Sequence, residues 1–146
     1  MEIGAAPSPI DRALALAVDV HTGVLDKAGE PYILHVLRVM ARMSSEDERV
    51  VAILHDVVED SDRTIDDLHR LGFSPAVVAA VQQLTKPPGA DYQRYVAGVR
   101  GNPLARAVKL ADLEDNMDVR RIADPTDKDL ERLRKYRVAW AMLRGE

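Results

Sequence analysis

The 146-residue chain contains no cysteine. Disulfide bonds and thiolate ligands are therefore excluded, and any metal site must be built from histidine, carboxylate or water ligands. Long apolar runs are also missing, since no stretch approaches the ~18 consecutive apolar residues typical of a membrane span. The first residues, MEIGAAPSPI, lack the basic and apolar regions of a secretory signal. We therefore expect a cytoplasmic protein with no membrane partner.

An excess of basic residues is absent as well. Lysine and arginine total 20 against 24 aspartate and glutamate residues, which gives a formal net charge of -4. Nucleic-acid-binding proteins usually carry a basic face, so we expect no nucleic-acid partner. Internal repeats and linker-like segments are also lacking. We expect a single domain over residues 1–146, with residues 1–8 as a frayed arm. The sequence leaves open whether copies associate into a homo-oligomer.

Helix-start signals recur along the chain, and no segment shows sustained period-two alternation. The signals are a serine, threonine or asparagine before a proline, or before an acidic residue three positions later. They predict an all-α helical bundle of about eight helices. The predicted helices run approximately over residues 8–21, 31–43, 45–56, 64–72, 74–84, 92–99, 102–120 and 126–143.

The segment Val50–Asp60, VVAILHDVVED, carries the strongest functional signal. Apart from the pair His55-Asp56, every residue before Glu59 is apolar, and a helix that is apolar on all sides is normally buried. An unpaired carboxylate in such a place costs several kcal/mol, so proteins pair the charge or supply a metal. The sequence therefore predicts that His55 and Asp56 have partners on other helices.

Two residues are candidates for those partners. His35 lies in the first turns of a predicted helix, and Asp112 follows the mostly apolar run AVKLA. Two imidazoles and two carboxylates suit a divalent metal of intermediate hardness, such as Mn²⁺ or Fe²⁺. Zinc is less favoured by this ligand set but is not excluded.

Four blocks of the sequence carry a family resemblance. They are AGEPYILH at residues 28–35, ILHDVVED at 53–60, LTK at 84–86 and VKLADLEDNM at 108–117. In this order and spacing they resemble the hydrolase domain of RelA/SpoT-type proteins, within the HD superfamily of metal-dependent phosphohydrolases. The small alarmone hydrolases and the metazoan SpoT homologue are single-domain relatives of this kind. The resemblance covers about residues 10–140.

The resemblance implies roles for specific side chains. The metal ligands would be His35, His55, Asp56 and Asp112, usually holding Mn²⁺, with Fe²⁺, Co²⁺ or Mg²⁺ as alternatives. The acidic pair Glu59 and Asp60 would position or activate the attacking water. The residues implied in substrate binding are Lys27, Asn116, Lys86, Arg132 and Tyr136. Each of these has a simpler reading, as a surface charge for the basic residues and as a core residue for Tyr136.

Three positions depart from the family pattern. Asp26 stands where a second basic residue usually precedes Lys27, while Leu113 and Asp115 replace an arginine and a histidine in the last block. Because two of these departures are acidic, we expect the nucleotide side of the site to be more acidic than in the family.

The resemblance implies a Mn²⁺-dependent enzyme that removes the 3′-pyrophosphate of (p)ppGpp to give GDP or GTP. One alternative is a phosphatase acting on another nucleotide, such as the 2′-phosphate of NADPH or a nucleoside monophosphate. A second is a non-catalytic sensor that binds a nucleotide. The acidic pair Glu59-Asp60 argues against a sensor, since a pure binder has no need of water-handling acids beside a metal.

Overall fold

The computed structural model describes all 146 residues, and its regular structure is helical, as predicted. The helices are α1 (Pro9–His21), α2 (Ile33–Ala41), α3 (Glu46–Leu54), α4 (Ile65–Arg70), α5 (Pro75–Leu84), α6 (Tyr92–Arg100), α7 (Pro103–Asn116) and α8 (Asp127–Arg144). A short 3₁₀ turn, Val119–Arg121, follows α7. No helix combines the length and apolar character needed to cross a bilayer.

The helix starts agree closely with the sequence signals because capping is local chemistry. Ser8, Thr64 and Thr126 each accept a hydrogen bond from the backbone N–H of an aspartate three residues later. In each case that aspartate accepts one in return from the backbone of the capping residue. Such caps satisfy N–H groups that the first helical turn leaves without partners.

Helix α2 runs from Ile33 to Ala41, two residues inside each predicted bound, and the ends of α3 and α7 also differ from prediction. Helix α3 ends at Leu54, before the His55-Asp56 pair, and residues 55–60 form successive turns. The imidazole Nδ1 of His55 lies 2.6 Å from the Ala52 carbonyl, where it competes with the continuing helix for that acceptor. Helix α7 ends at Asn116 rather than near residue 120, because the Asp118 side chain accepts from the backbone N–H of Arg120 and favours a turn.

Helix α3 is the central element of the core. It packs against α1, α2, α5 and α7, and α2 also contacts α7. The interior is one cluster of 27 buried apolar residues, which includes Ile53 and Leu54 at the end of α3. The carboxyl end of α3 therefore meets α2 and α7, the two helices that carry the other predicted metal ligands.

The loop after α1 is held by its own backbone. Leu25 and Pro31 form an isolated antiparallel bridge, and Gly29 has a φ of +82°, a conformation that glycine adopts without steric cost. One carboxylate oxygen of Asp26 accepts from the backbone N–H groups of Ala28 and Glu30, both at 2.9 Å. Asp26 therefore stabilises the loop that presents Lys27.

Leu113 provides a test of this packing, because its side chain is fully buried in the core. Leu113→Arg should reduce the free energy of unfolding by at least about 3 kcal/mol, since it buries an unpaired charge. Leu113→Met, the control of similar volume, should cost less than about 1.5 kcal/mol. Urea denaturation measures both values. Equal stability of the arginine variant and the wild type would show that Leu113 faces solvent.

Candidate active site

The four predicted metal ligands meet at the junction of three elements. His35 comes from α2, His55 and Asp56 follow α3, and Asp112 comes from α7. The ligating atoms of His35, His55 and Asp56 all lie within 4.8 Å of one another. Asp112 Oδ1 lies 3.0 Å from the Nε2 atom of His35 and 3.5 Å from that of His55. Two imidazoles and two carboxylates thus surround one small volume.

Both imidazoles are fixed through their Nδ1 atoms. His55 Nδ1 contacts the Ala52 carbonyl at 2.6 Å, and His35 Nδ1 contacts Asp115 Oδ2 at 2.6 Å. These partners can only accept hydrogen bonds, so each Nδ1 carries its proton and each Nε2 is left to act as a ligand. Neither buried Nε2 atom makes a hydrogen bond within the protein. This arrangement fits a divalent metal ion.

Both carboxylates are held in the charged form. Burial alone would raise their pKa values, but His55 lowers the pKa of Asp56 to about 2, and Lys109 and the imidazoles hold that of Asp112 well below its usual range. Asp56 also accepts a hydrogen bond from the Tyr32 hydroxyl. Asp112 accepts from Lys109 Nζ at 2.8 Å. The site therefore offers two negative charges to a cation.

The imidazoles share in this charge balance. Burial alone would lower their pKa values, but the neighbouring carboxylates raise them: Asp112 and Asp115 beside His35, and Asp56 and Asp112 beside His55. A metal ligand must be deprotonated, so binding of a divalent cation here is coupled to the release of protons.

The acidic pair lies in turns rather than on the continuation of α3. The backbone N–H of Asp60 still bonds to the Asp56 carbonyl at 3.0 Å, which keeps Asp60 one turn beyond Asp56. Glu59 Oε1 accepts from the backbone N–H of Lys86 at 3.0 Å. Burial and the charge of Asp56 raise the pKa of Asp60 to about 6 and also raise that of Glu59. Both acids therefore have raised proton affinity beside the cluster.

A cavity of about 520 Å³ opens beside these residues. Six of the predicted site residues border it: Lys27, His35, Asp60, Asn116, Arg132 and Tyr136. Asn116 also donates to Asp112 Oδ1 at 3.0 Å, which joins the cavity wall to the histidine and aspartate cluster. Burial lowers the pKa of Lys27, and the charge of nearby Arg132 lowers it further. Glu59 and Lys86 do not border the cavity.

Comparison with known proteins places these features in a family. No family model matches the chain. The chain is 34% identical over 127 residues to the guanosine-3′,5′-bis(diphosphate) 3′-pyrophosphohydrolase MESH1 of Drosophila melanogaster, over 80% of this chain and 70% of that protein. The chain belongs to this SpoT-like hydrolase family.

Two further matches agree with that membership. The bifunctional (p)ppGpp synthase/hydrolase SpoT of Escherichia coli (strain K12) is 37% identical over 121 residues, which cover 73% of this chain and 17% of that longer protein. A solved structure, described as a metazoan orthologue of SpoT that hydrolyses ppGpp, is 25% identical. It aligns with a TM-score of 0.74 over 96% of this chain and 88% of its own. The SpoT-like fold therefore extends over nearly the whole chain.

Of the three departures from the SpoT-like pattern, Asp26 borders the cavity as predicted, whereas the other two do not. Leu113 lies in the core, and Asp115 is 1% exposed. The carboxylate of Asp115 is paired with Arg38 at 2.8 Å and with Arg121 at 3.1 Å. The expectation of a more acidic nucleotide side is therefore wrong for Asp115, because its charge is neutralised inside the protein.

Sequence reasoning missed three side chains of this SpoT-like site: Tyr32, Lys109 and Arg121. Tyr32 and Arg121 border the cavity, and Lys109 pairs with Asp112. Lys109 had a usable signal, since it is a lone cation in an apolar helical run three residues before Asp112. The same buried-charge reasoning that singled out Asp56 applies to it. Nothing local in the sequence indicates that Arg121 faces the cavity.

Asp56→Ala tests the metal centre. The variant should lose the stabilisation that metal gives the wild type, which is about 2.7 kcal/mol at a metal concentration 100-fold above the dissociation constant. Thermal unfolding and titration calorimetry with Mn²⁺ measure the effect. Asp66→Ala, which removes an exposed carboxylate on α4, should behave as wild type. Full metal binding by the Asp56 variant would show that the ligand set is wrong.

Proposed function

We propose that this protein is a metal-dependent hydrolase that removes the 3′-pyrophosphate of (p)ppGpp and releases GDP or GTP. The observation that carries the proposal is the two-histidine, two-aspartate cluster, whose His35 borders a cavity that is also lined by acidic and basic side chains. The name of the Drosophila relative, a guanosine-3′,5′-bis(diphosphate) 3′-pyrophosphohydrolase, supports the choice of substrate.

We propose Mn²⁺ as the metal, held by His35, His55, Asp56 and Asp112. A mixed imidazole and carboxylate set suits Mn²⁺, with Fe²⁺, Co²⁺ and Mg²⁺ as alternatives. When bound, the ion supplies a water of lowered pKa and offsets charge on the phosphate oxygens.

Asp60 and Glu59 manage the proton of the attacking water. Asp60 borders the cavity, and its raised pKa suits a group that must accept a proton. Glu59 is kept beside it by the backbone N–H of Lys86, so Lys86 contributes through its main chain. The water oxygen forms a bond to the phosphorus atom that is attached to the ribose 3′-oxygen. The bond between that phosphorus and the 3′-oxygen then breaks, the 3′-oxygen takes up a proton, and pyrophosphate is released.

The remaining cavity residues bind the nucleotide. Lys27 and Arg132 are the cationic side chains of the lining that do not hold Asp115, and they balance phosphate charge through charge-assisted hydrogen bonds. Tyr136 offers a ring face to the nucleoside. Asn116 is tied to Asp112, so it keeps a fixed position between the bound nucleotide and the metal centre.

A substrate panel tests the proposed reaction. Metal-free protein resupplied with Mn²⁺ is offered ppGpp, NADPH and nucleoside mono- and triphosphates, with phosphate and pyrophosphate detected separately. We expect pyrophosphate and GDP from ppGpp and little product from the others. The Asp56→Ala variant is the control for contaminating hydrolases.

Two other outcomes of the panel would overturn the proposal. Phosphate released from another nucleotide, with ppGpp untouched, would keep the hydrolytic centre but reject the substrate. Binding of ppGpp without turnover under any metal would indicate a sensor.

Asp60→Asn tests the role of the acidic pair. The amide cannot accept the water proton, so kcat should fall by about 10²–10⁴-fold. The KM for ppGpp and the affinity for Mn²⁺ should stay within a few-fold of wild type. Asp62→Asn makes the same chemical change at an exposed position two residues away and should retain full kcat. A kcat unchanged in Asp60→Asn would remove Asp60 from the reaction.

A further inference from the structure

Asp115 is a buried carboxylate that the reaction described above does not use. It lies on α7 one turn beyond Asp112, and its side chain is 2% exposed. One of its oxygens lies 2.6 Å from Nδ1 of His35 on α2. Asp115 therefore contacts the edge of the imidazole ring that points away from the proposed metal cluster.

Two arginines hold this carboxylate in place. Arg38 donates from Nε at 2.8 Å and from Nη2 at 3.2 Å, one bond to each oxygen. Arg121 donates from Nη1 to Oδ1 at 3.1 Å and from Nη2 to the Asp115 carbonyl at 2.8 Å. With donors from three side chains around it, the carboxylate has little freedom to rotate, and its charge is balanced within the protein.

The orientation of His35 follows from this arrangement. A carboxylate only accepts hydrogen bonds, so the Asp115 contact places the imidazole proton on Nδ1. The opposite nitrogen, Nε2, then points towards Asp112 Oδ1, 3.0 Å away, with its lone pair available to a cation. Carboxylate partners of this kind orient metal-binding histidines and raise their basicity, and their loss commonly weakens metal affinity by 10–100-fold.

We propose that Asp115 is a positioning residue that sets the metal affinity of the site by orienting His35, and that Arg38 and Arg121 hold Asp115 for this task. The inference rests on the metal centre of the proposed function and goes beyond it, because Asp115 is neither a ligand nor a cavity residue. It also gives a role to a position at which this chain departs from the resembling family.

Titration of metal-free protein with Mn²⁺, followed by calorimetry, tests the inference directly. Asp115→Ala should weaken Mn²⁺ binding by about 10–100-fold. Asp115→Asn should show a smaller loss, because its amide oxygen can still accept from His35 but carries no charge. In turnover assays the Mn²⁺ concentration that gives half-maximal rate should rise in the same order, and saturating Mn²⁺ should restore most of kcat.

A matched control separates orientation of His35 from a general tie between the helices. Arg42 at the end of α2 pairs with Glu114 on α7 at 3.2 Å and contacts neither His35 nor Asp115. Arg42→Met should therefore leave Mn²⁺ affinity unchanged. If Asp115→Ala fails to fold, Arg38→Met serves instead. It removes two bonds to Asp115 outside the cavity and should weaken Mn²⁺ binding several-fold.

Different results would overturn the proposed function and the positioning role of Asp115. Wild-type protein that binds no Mn²⁺ and hydrolyses none of the panel would overturn the proposed function. Wild-type protein that binds Mn²⁺, with unchanged affinity in Asp115→Ala or Arg38→Met, would overturn the positioning role alone. Equal weakening in Arg42→Met would assign the effect to helix packing and also reject the inference.

Discussion

Buried negative charge is the constraint on which this structure depends. Asp112 and Asp115 lie inside the protein, and Asp56 is mostly enclosed. An ionised carboxylate in the interior is tolerated only when cations and hydrogen-bond donors surround it. Asp115 accepts from His35 and Arg38 on α2, whereas Asp112 accepts from Lys109 and Asn116 on α7 itself. The charges that form the site therefore also fix how α2 packs against α7.

The end of α3 places the chain's candidate catalytic side chains beside the contact between α2 and α7. Because the helix ends at Leu54, His55 and Asp56 lie in a turn where their side chains can face α2 and α7. The same turns carry Asp60 to the cavity, while the backbone N–H of Lys86 holds Glu59. A continuous helix would keep these side chains at fixed angles around one axis, and fewer of them could face a common point.

The cationic side chains near the site form two groups, which differ in whether they pair with a buried carboxylate or border the cavity. Lys109 and Arg38 are bound to internal carboxylates, so their charge stabilises the site from within. Lys27 and Arg132 border the cavity, Arg132 in an ion pair with Asp129 at 3.0 Å, and both are proposed to meet the phosphate groups of the substrate. Counting charges along the sequence cannot separate the two groups. This is why Asp115 suggested an acidic pocket, whereas in the folded chain arginines neutralise it.

The sequence by itself determined the helical class, most helix starts and the four histidine and aspartate residues that the fold brings together. Caps and periodicity depend on neighbours three or four positions away, and a buried His55-Asp56 pair demands partners wherever they lie. Only the tertiary structure decided that α3 stops at Leu54 and that Asp115 meets His35 across 80 positions of sequence. Such contacts arise when whole helices pack together. No pattern of neighbouring residues predicts which helices will pack or which of their side chains will meet.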